Sequence, residues 1–450
     1  MTPIRDIVAD YMQKHDYKIA QFADYSGMNP GTLSRLIQGS KPIAFNQLVQ
    51  VTQAMGLSED YFFDRYVHEC VATPSLRRIR PFILRCAKLE RLDCIERLVY
   101  ELLEDNSYVS TMFEIAEELY SDNLLQAAKF IYLRVSEAER YQHSERLALC
   151  RYRLFVISLG TDLEANYRAA MVFEDYVNRL DEMDQLDALK HLINVFAAVH
   201  DWKRVDRLAQ EILRLATMFY GQVTKEKSGG TPSQPMYYYI LYAWLVCSNV
   251  CEENRDYQGA LEFVALYSTG ESWIREDDEQ ARRCILQFKE WGEANALLYR
   301  MMSGEAEALQ EYADYIASYP NEISYALCFI VQAANKYNYI IEEVLERFHE
   351  YILFPSNEQY NEAFMAEKYT RFLADLAVYQ YSHRPELSIK LILDSLKIAV
   401  RIHSVLNMLN CMTLFEQYRD LAEPEELKEF KNLSMEVHRI NAEAIPMDKA

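Results

Sequence analysis

Residues 19–63 read IAQFADYSGMNPGTLSRLIQGSKPIAFNQLVQVTQAMGLSEDYFF, and the punctuation of this stretch decides how the N-terminal part folds. Ile19, Phe22 and Ala23 stand at helical spacing, and the run stops at Gly27. Asn29-Pro30 then supplies a capping side chain followed by proline in the first helical position, so another helix opens there with Leu33, Leu36 and Ile37 on its inner face. Gly39 stops it. Phe45 to Met55 and Ser58 to Phe63 read as two further helices, and upstream Ile4, Ile7, Val8 and Tyr11 form the inner face of a first. The result is a compact unit of five short helices. The small Ala23, four residues before Gly27, has a steric reason: two helices crossing at a tight turn leave no room for a large side chain.

Working outward, the chain has 450 residues, 50% apolar and 26% charged, enough to bury a large core in more than one domain or in one elongated repeat array. With 12 Gly and 12 Pro beside 33 Tyr and 20 Phe, helix breakers are scarce and an all-α fold is expected. Nine scattered cysteines, odd in number and set in apolar helical runs, read as reduced, buried thiols of a cytoplasmic protein. Met1 to Asp16 is charged throughout, so no secretory leader is expected there. The longest apolar run, Met236 to Cys247, is shorter than the roughly 20 residues a membrane span needs, so no membrane partner is expected.

The net charge of -21 is unevenly placed. Residues 1–57 hold Arg5, Lys14, Lys18, Arg35 and Lys41 against Asp6, Asp10, Asp16 and Asp24, a balance of +1, which leaves -22 on the rest. A near-neutral head is free to approach a polyanion that the acidic body repels. Between them, Leu76 to Arg91 carries six cations against Glu90 alone. This connector either touches nucleic acid or packs on the acidic body.

The 19–63 stretch resembles the helix-turn-helix domain of the phage-repressor (Xre/Cro) type. The resemblance rests on Ala23 and Gly27, the run Thr32-Leu33-Ser34-Arg35-Leu36, Gly39, and the closing Met55-Gly56-Leu57-Ser58. Ile19 departs from it, since many members carry there a glutamine that binds phosphate. The resemblance implies that the third helix enters the major groove of double-stranded DNA, with Asn29, Gly31, Thr32, Ser34, Arg35 and Gln38 on its outer side. Arg35 suits a bidentate contact to guanine, and Asn29 or Thr32 a phosphate contact. The alternative is a unit that mediates protein contacts only, with Arg35 a solvated charge.

From Leu76 onward, turns recur at Leu92-Asp93, Asn123-Leu124, Asp162-Leu163, Asp201-Trp202, Asp256-Tyr257, Glu290-Trp291, Asn338-Tyr339 and Pro385-Glu386, about 31 to 55 residues apart, as in helix-hairpin repeats with insertions. Residues 256–267, DYQGALEFVALY, look like the turn and second helix of a tetratricopeptide repeat. Gly221 to Pro235, with Gly229-Gly230, Pro232 and Pro235, reads as an exposed insertion. In such a right-handed solenoid the first helices of the pairs line a concave groove. Counting eight residues back from Trp202, Tyr257 and Trp291 gives Asn194, Asn249 and Arg283; one turn earlier on the same faces lie Lys190, Leu245 and Glu279, with Tyr242 about one further turn along, and Asn335 lies at the end of a later lining helix. Asparagine amides both donate to and accept from an extended peptide backbone, so this cluster is the expected peptide site. Solvated surface residues or helix caps are the plain alternative.

No phosphate loop, dinucleotide fingerprint, nucleophile elbow or HExxH pair occurs, so neither catalysis, a cofactor nor a metal is expected. The combination of helix-turn-helix head and degenerate solenoid resembles the RRNPP family of peptide-responsive bacterial regulators, in its PlcR-, PrgX- and AimR-like branch and the related AloR-type regulators. The expected domains are 1–66 (helix-turn-helix), 67–91 (basic connector and first solenoid helix) and 92–450 (solenoid with peptide groove and dimer interface). The resemblance implies a cytoplasmic transcription regulator, a homodimer on a palindromic operator, controlled in quorum sensing by a short, neutral-to-basic signalling peptide. Its alternatives are a protein-interaction scaffold and a phage-type repressor without a peptide ligand.

Overall fold

The computed structural model describes residues 2–141, 144–220, 232–352 and 359–444. The expected insertion at Gly221 to Pro235 lies outside the described residues as far as Thr231. The described residues are helical without a strand, a helix-turn-helix followed by a helical solenoid. The chain forms two compact units, Met1–Ile157 and Ser158–Ala450.

The first unit opens with α1 (Ile4–Lys14), α2 (Ile19–Ser26), α3 (Pro30–Ile37), α4 (Phe45–Ala54) and α5 (Phe63–Ala72). Gly27 ends α2 at φ +69°, where any side chain is strained, and the Met28 N–H donates back to the Ala23 carbonyl at 2.8 Å. Ala23 has no exposed surface, as the tight crossing requires. The expected helix over Ser58–Phe63 is not formed. The Tyr61 N–H bonds the Ser58 carbonyl at 3.0 Å and the Phe63 N–H bonds that of Asp60 at 2.9 Å, which makes two turns, and the fifth helix starts where the expected one ended. Ser58 and Asp60 favour such local turns, while Phe62 and Phe63 are drawn fully into the core.

Five more helices complete this unit: α6 (Leu76–Lys88), α7 (Leu92–Leu102), α8 (Val109–Ser121), α9 (Leu125–Ala138) and α10 (Glu145–Ser158). A single apolar core runs from Ile4 to Cys150. Four of the six cations in the basic segment 76–91, namely Arg78, Arg80, Arg85 and Arg91, are spent on carboxylates and carbonyls of their own unit, while Arg77 and Lys88 are exposed. Arg78, 5% exposed, donates to the carbonyls of Ile43 (2.8 Å), Glu69 (3.1 Å) and Thr73 (3.0 Å) and lies over the Tyr66 ring. Arg85 forks onto Glu59 at 2.5 and 2.6 Å, Arg91 pairs with Asp60 and Asp93, and Arg80 with Glu118. The Arg85 guanidinium holds Glu59 below the usual carboxylate range.

The second unit contains α11 (Leu163–Glu174), α12 (Glu182–Ala198), α13 (Trp202–Phe219), α14 (Met236–Glu253), α15 (Tyr257–Ser268), α16 (Glu279–Ser303), α17 (Ala306–Ile316), α18 (Ile323–Tyr337), α19 (Glu342–Arg347), α20 (Gln359–His383), α21 (Pro385–Arg401), α22 (Val405–Gln417) and α23 (Pro424–Ala444). Its turns repeat one device. His200, Arg255 and His403 take left-handed φ of 61°, 61° and 54° to end α12, α14 and α21. Asp201 and Asp256 then cap the next helix, accepting from the N–H groups of Arg204 (3.3 Å) and Gly259 (3.0 Å).

The expected turn at Glu290-Trp291 is absent, because α16 runs straight through it and ends only at Gly304, φ +106°. Trp291 marks a packing position. A Cβ on neighbouring Gly292 would stand 2.5 Å from the Ser268 Cβ, so glycine here admits α15 rather than breaking the helix. The array also closes on itself. The Leu163 N–H bonds the Ile402 carbonyl at 3.1 Å, His403 Nδ1 lies 2.8 Å from Asp162 Oδ2, and His200 Nε2 lies 2.7 Å from the buried Glu367 carboxylate. Parts of α12, α14, α18 and α20 thereby line common cavities. All nine cysteines are free, and all but Cys251 are buried. Among the described residues no helix is long and apolar enough to cross a membrane.

Candidate nucleic-acid interface and ligand groove

The outer face of α3 follows from its inner one. Leu33 and Leu36 are buried, so the helical repeat turns Gly31, Arg35 and Gln38 to the exposed side with Thr32 and Ser34 half-buried at its margins. Asn29 is exposed, but its carboxamide oxygen is already used, accepting from the Gly31 N–H at 2.9 Å as the cap of α3. What remains for a phosphate is its Nδ2 group. Arg35 donates through Nε to the Gly31 carbonyl at 3.1 Å, which orients the guanidinium along the helix and leaves its terminal N–H groups uncommitted among the described residues. Ile19 is 39% exposed at the start of α2 and offers no donor.

Arg5 was missed by motif reasoning, because it belongs to α1. Its guanidinium lies against Gly39, just past the end of α3, so closely that a Cβ there would stand 2.0 Å from Arg5 Nη1. A cation on the outer face of the first helix is the one signal the sequence carried for it.

In the second unit, Asn194 of α12 and Tyr242 and Asn249 of α14 line one cavity of about 440 Å³. The Tyr242 hydroxyl donates to Asn194 Oδ1 at 3.4 Å, and the Asn249 carboxamide has no hydrogen-bond partner among the described residues. Lys190 stands behind this wall. It donates to the Tyr238 hydroxyl at 3.1 Å and lies over the rings of Tyr238 and Tyr242, which are stacked at 6.1 Å, so it holds Tyr242 in place. Asn335 lines an adjoining cavity of about 650 Å³ and donates to the Asp375 carbonyl at 2.8 Å. Glu252, Glu253 and Lys368 line both cavities.

Glu279 and Arg283 do not join this group. They occupy the exposed first turns of α16 and pair with each other, since the turn from which they were counted does not exist. Sequence reasoning missed Glu252, Lys368 and Trp202. Burial pushes the Glu252 carboxyl up to about 7, with Lys368 opposing. The residue is half-buried and lines both cavities. The Trp202 indole N–H is buried without a partner at the cavity wall. Asn166, on the same wall, is spent on the Gly160 backbone at 2.8 and 3.0 Å.

The fold and the face of α3 define the first unit's N-terminal part as a helix-turn-helix of the class found in DNA-binding transcription regulators. Residues 8–62 match the family described as Helix-turn-helix. No curated protein and no solved structure matches the chain.

Proposed function

We propose that the protein is a transcription regulator whose α3 reads an operator and whose operator affinity is set by a short peptide in the second unit. The observation that carries the peptide is the meeting of Asn194, Tyr242 and Asn249 on one cavity, with the Asn249 amide unspent. Two carboxamides on neighbouring helices give paired donors and acceptors to an extended backbone whatever its side chains. Asn335 and the second cavity extend the same groove.

In this reading Arg35 contacts a guanine edge, while Asn29, Thr32 and Arg5 fix the head on phosphates, with Gly31, Ser34 and Gln38 at the base edges. Two copies in a cytoplasmic homodimer engage half-sites about 34 Å apart or at a multiple of it. A peptide changes operator affinity only if it binds two shapes of the second unit unequally. A neutral-to-basic peptide suits the first cavity, where Glu252, Glu253 and Glu322 stand against Lys368, while the adjoining one adds Arg255, Lys336 and Arg371 against Asp375.

The test is selection of hexapeptides from a random pool on immobilised full-length protein, followed by calorimetry with Asn194→Ala/Asn249→Ala. Loss of roughly tenfold or more in affinity with unchanged helicity is expected, in line with two hydrogen bonds of about 1 kcal/mol each. Unaltered affinity removes the groove assignment.

A further inference from the structure

Glu322 and Tyr325 line not only the groove cavity of about 440 Å³ but also a smaller one of about 250 Å³ between α16, α17 and α18. Its walls are aromatic and acidic: Trp291, Tyr312, Tyr315 and Tyr319, with the carboxylates of Glu290 and Glu322. Among the described residues no Lys, Arg or His lines it. Tyr315 and Tyr319 are stacked with centroids 5.1 Å apart, and the Tyr315 hydroxyl donates to the Glu290 carbonyl at 2.9 Å, so this wall is held in place. Tyr312 is 4% exposed, and its hydroxyl has no hydrogen-bond partner among the described residues.

Ring faces carry the negative side of the aromatic quadrupole, and the two carboxylates add formal charge. Neither Glu290 nor Glu322 forms an ion pair among the described residues. Although Glu322 is exposed as a residue, protein packed about its carboxyl pushes that group above the ordinary value, with no cation to offset the desolvation. Such a site repels anions, gives a neutral apolar group no compensation for covering two carboxylates, and favours a cation. A planar guanidinium matches it best, because it stacks on rings and forks onto a carboxylate at once.

Building on the peptide reading of the adjoining groove, we propose that this aromatic and acidic cavity is a specificity pocket for an arginine side chain of the groove ligand. Trp291 and Tyr315 face its plane and Glu322 receives its N–H groups at the shared wall.

Two measurements on the full chain test this. In the first, N-acetyl-arginine amide and its uncharged isostere N-acetyl-citrulline amide are titrated by calorimetry. The arginine probe should bind roughly tenfold more tightly, and that preference should vanish in Glu322→Gln and fall in Trp291→Leu, with helicity unchanged. Equal binding of both probes, or a preference unaffected by both variants, overturns the proposal. In the second, random hexapeptides are selected on the wild type and on Glu322→Gln. Enrichment of arginine at one position, lost in the variant, supports the pocket. Enrichment of peptides with no cationic position overturns the pocket and leaves the peptide groove standing. No enrichment of any peptide, while the arginine probe still binds, removes the peptide reading and leaves a guanidinium site.

Discussion

Glu252→Gln should make the second unit more stable at alkaline pH and change little at acid pH. The folded chain holds a proton on Glu252 until about pH 7, whereas the unfolded chain releases it near 4.5. Between these values the folded state binds more protons, so stability falls as pH rises, and the loss is complete above about 7. That interval corresponds to about 3 kcal/mol, and water in the open cavities recovers part of it, so roughly 1–3 kcal/mol is expected. The four tryptophans, Trp202, Trp244, Trp273 and Trp291, all lie in the second unit, so urea unfolding followed by tryptophan fluorescence reports that unit alone. Taking the difference between wild type and variant cancels every other titrating group. At pH 8 the variant should be more stable by roughly 1–3 kcal/mol, and near pH 4.5 the two should agree within about 0.5 kcal/mol. A pH-independent difference, or a variant less stable at pH 8, would refute the reasoning.

Arg35→Ala should abolish sequence-specific footprinting while leaving helicity unchanged, whereas Asn29→Ala should also cost the head about 1 kcal/mol through loss of the α3 cap, read by hydrogen exchange over residues 19–63. Arg78→Ala removes three hydrogen bonds of a buried guanidinium, although the Ile43 and Glu69 carbonyls keep the Tyr66 hydroxyl and the Thr73 N–H, and should destabilise the first unit by about 2–3 kcal/mol, seen as faster exchange across α4 to α6. Gly292→Ala drives a methyl into Ser268 and should cost about 1–3 kcal/mol in tryptophan-monitored unfolding, most of it restored by Ser268→Gly.

The head was legible because its signals are local. Gly27, Asn29-Pro30 and Gly39 each act on the backbone within a few residues, and α2 and α3 begin and end where those residues dictate. The fifth helix was misplaced because Phe62 and Phe63 answer to the core, a long-range demand that no local spacing announces. The turns at Asp201-Trp202 and Asp256-Tyr257 were readable from the aspartate cap before an aromatic. Trp291 carried the same aromatic mark without the cap, and the helix continued, which took Glu279 and Arg283 out of the groove. Asn194 and Asn249, which line one cavity, were singled out by spacing along single helices. Glu252, Lys368 and Tyr325 were not, because they meet only when α14, α18 and α20 are brought together by closure of the array.

The central claim, that the groove of the second unit governs what α3 does, is tested most directly by operator affinity with and without a selected hexapeptide. With an operator obtained by in vitro selection, saturating peptide should shift the affinity of the wild type at least about tenfold in one direction, a coupling of some 1.4 kcal/mol, and should leave Asn194→Ala/Asn249→Ala unmoved. An operator affinity that stays the same in the wild type, at peptide concentrations shown by calorimetry to fill the groove, would contradict the account.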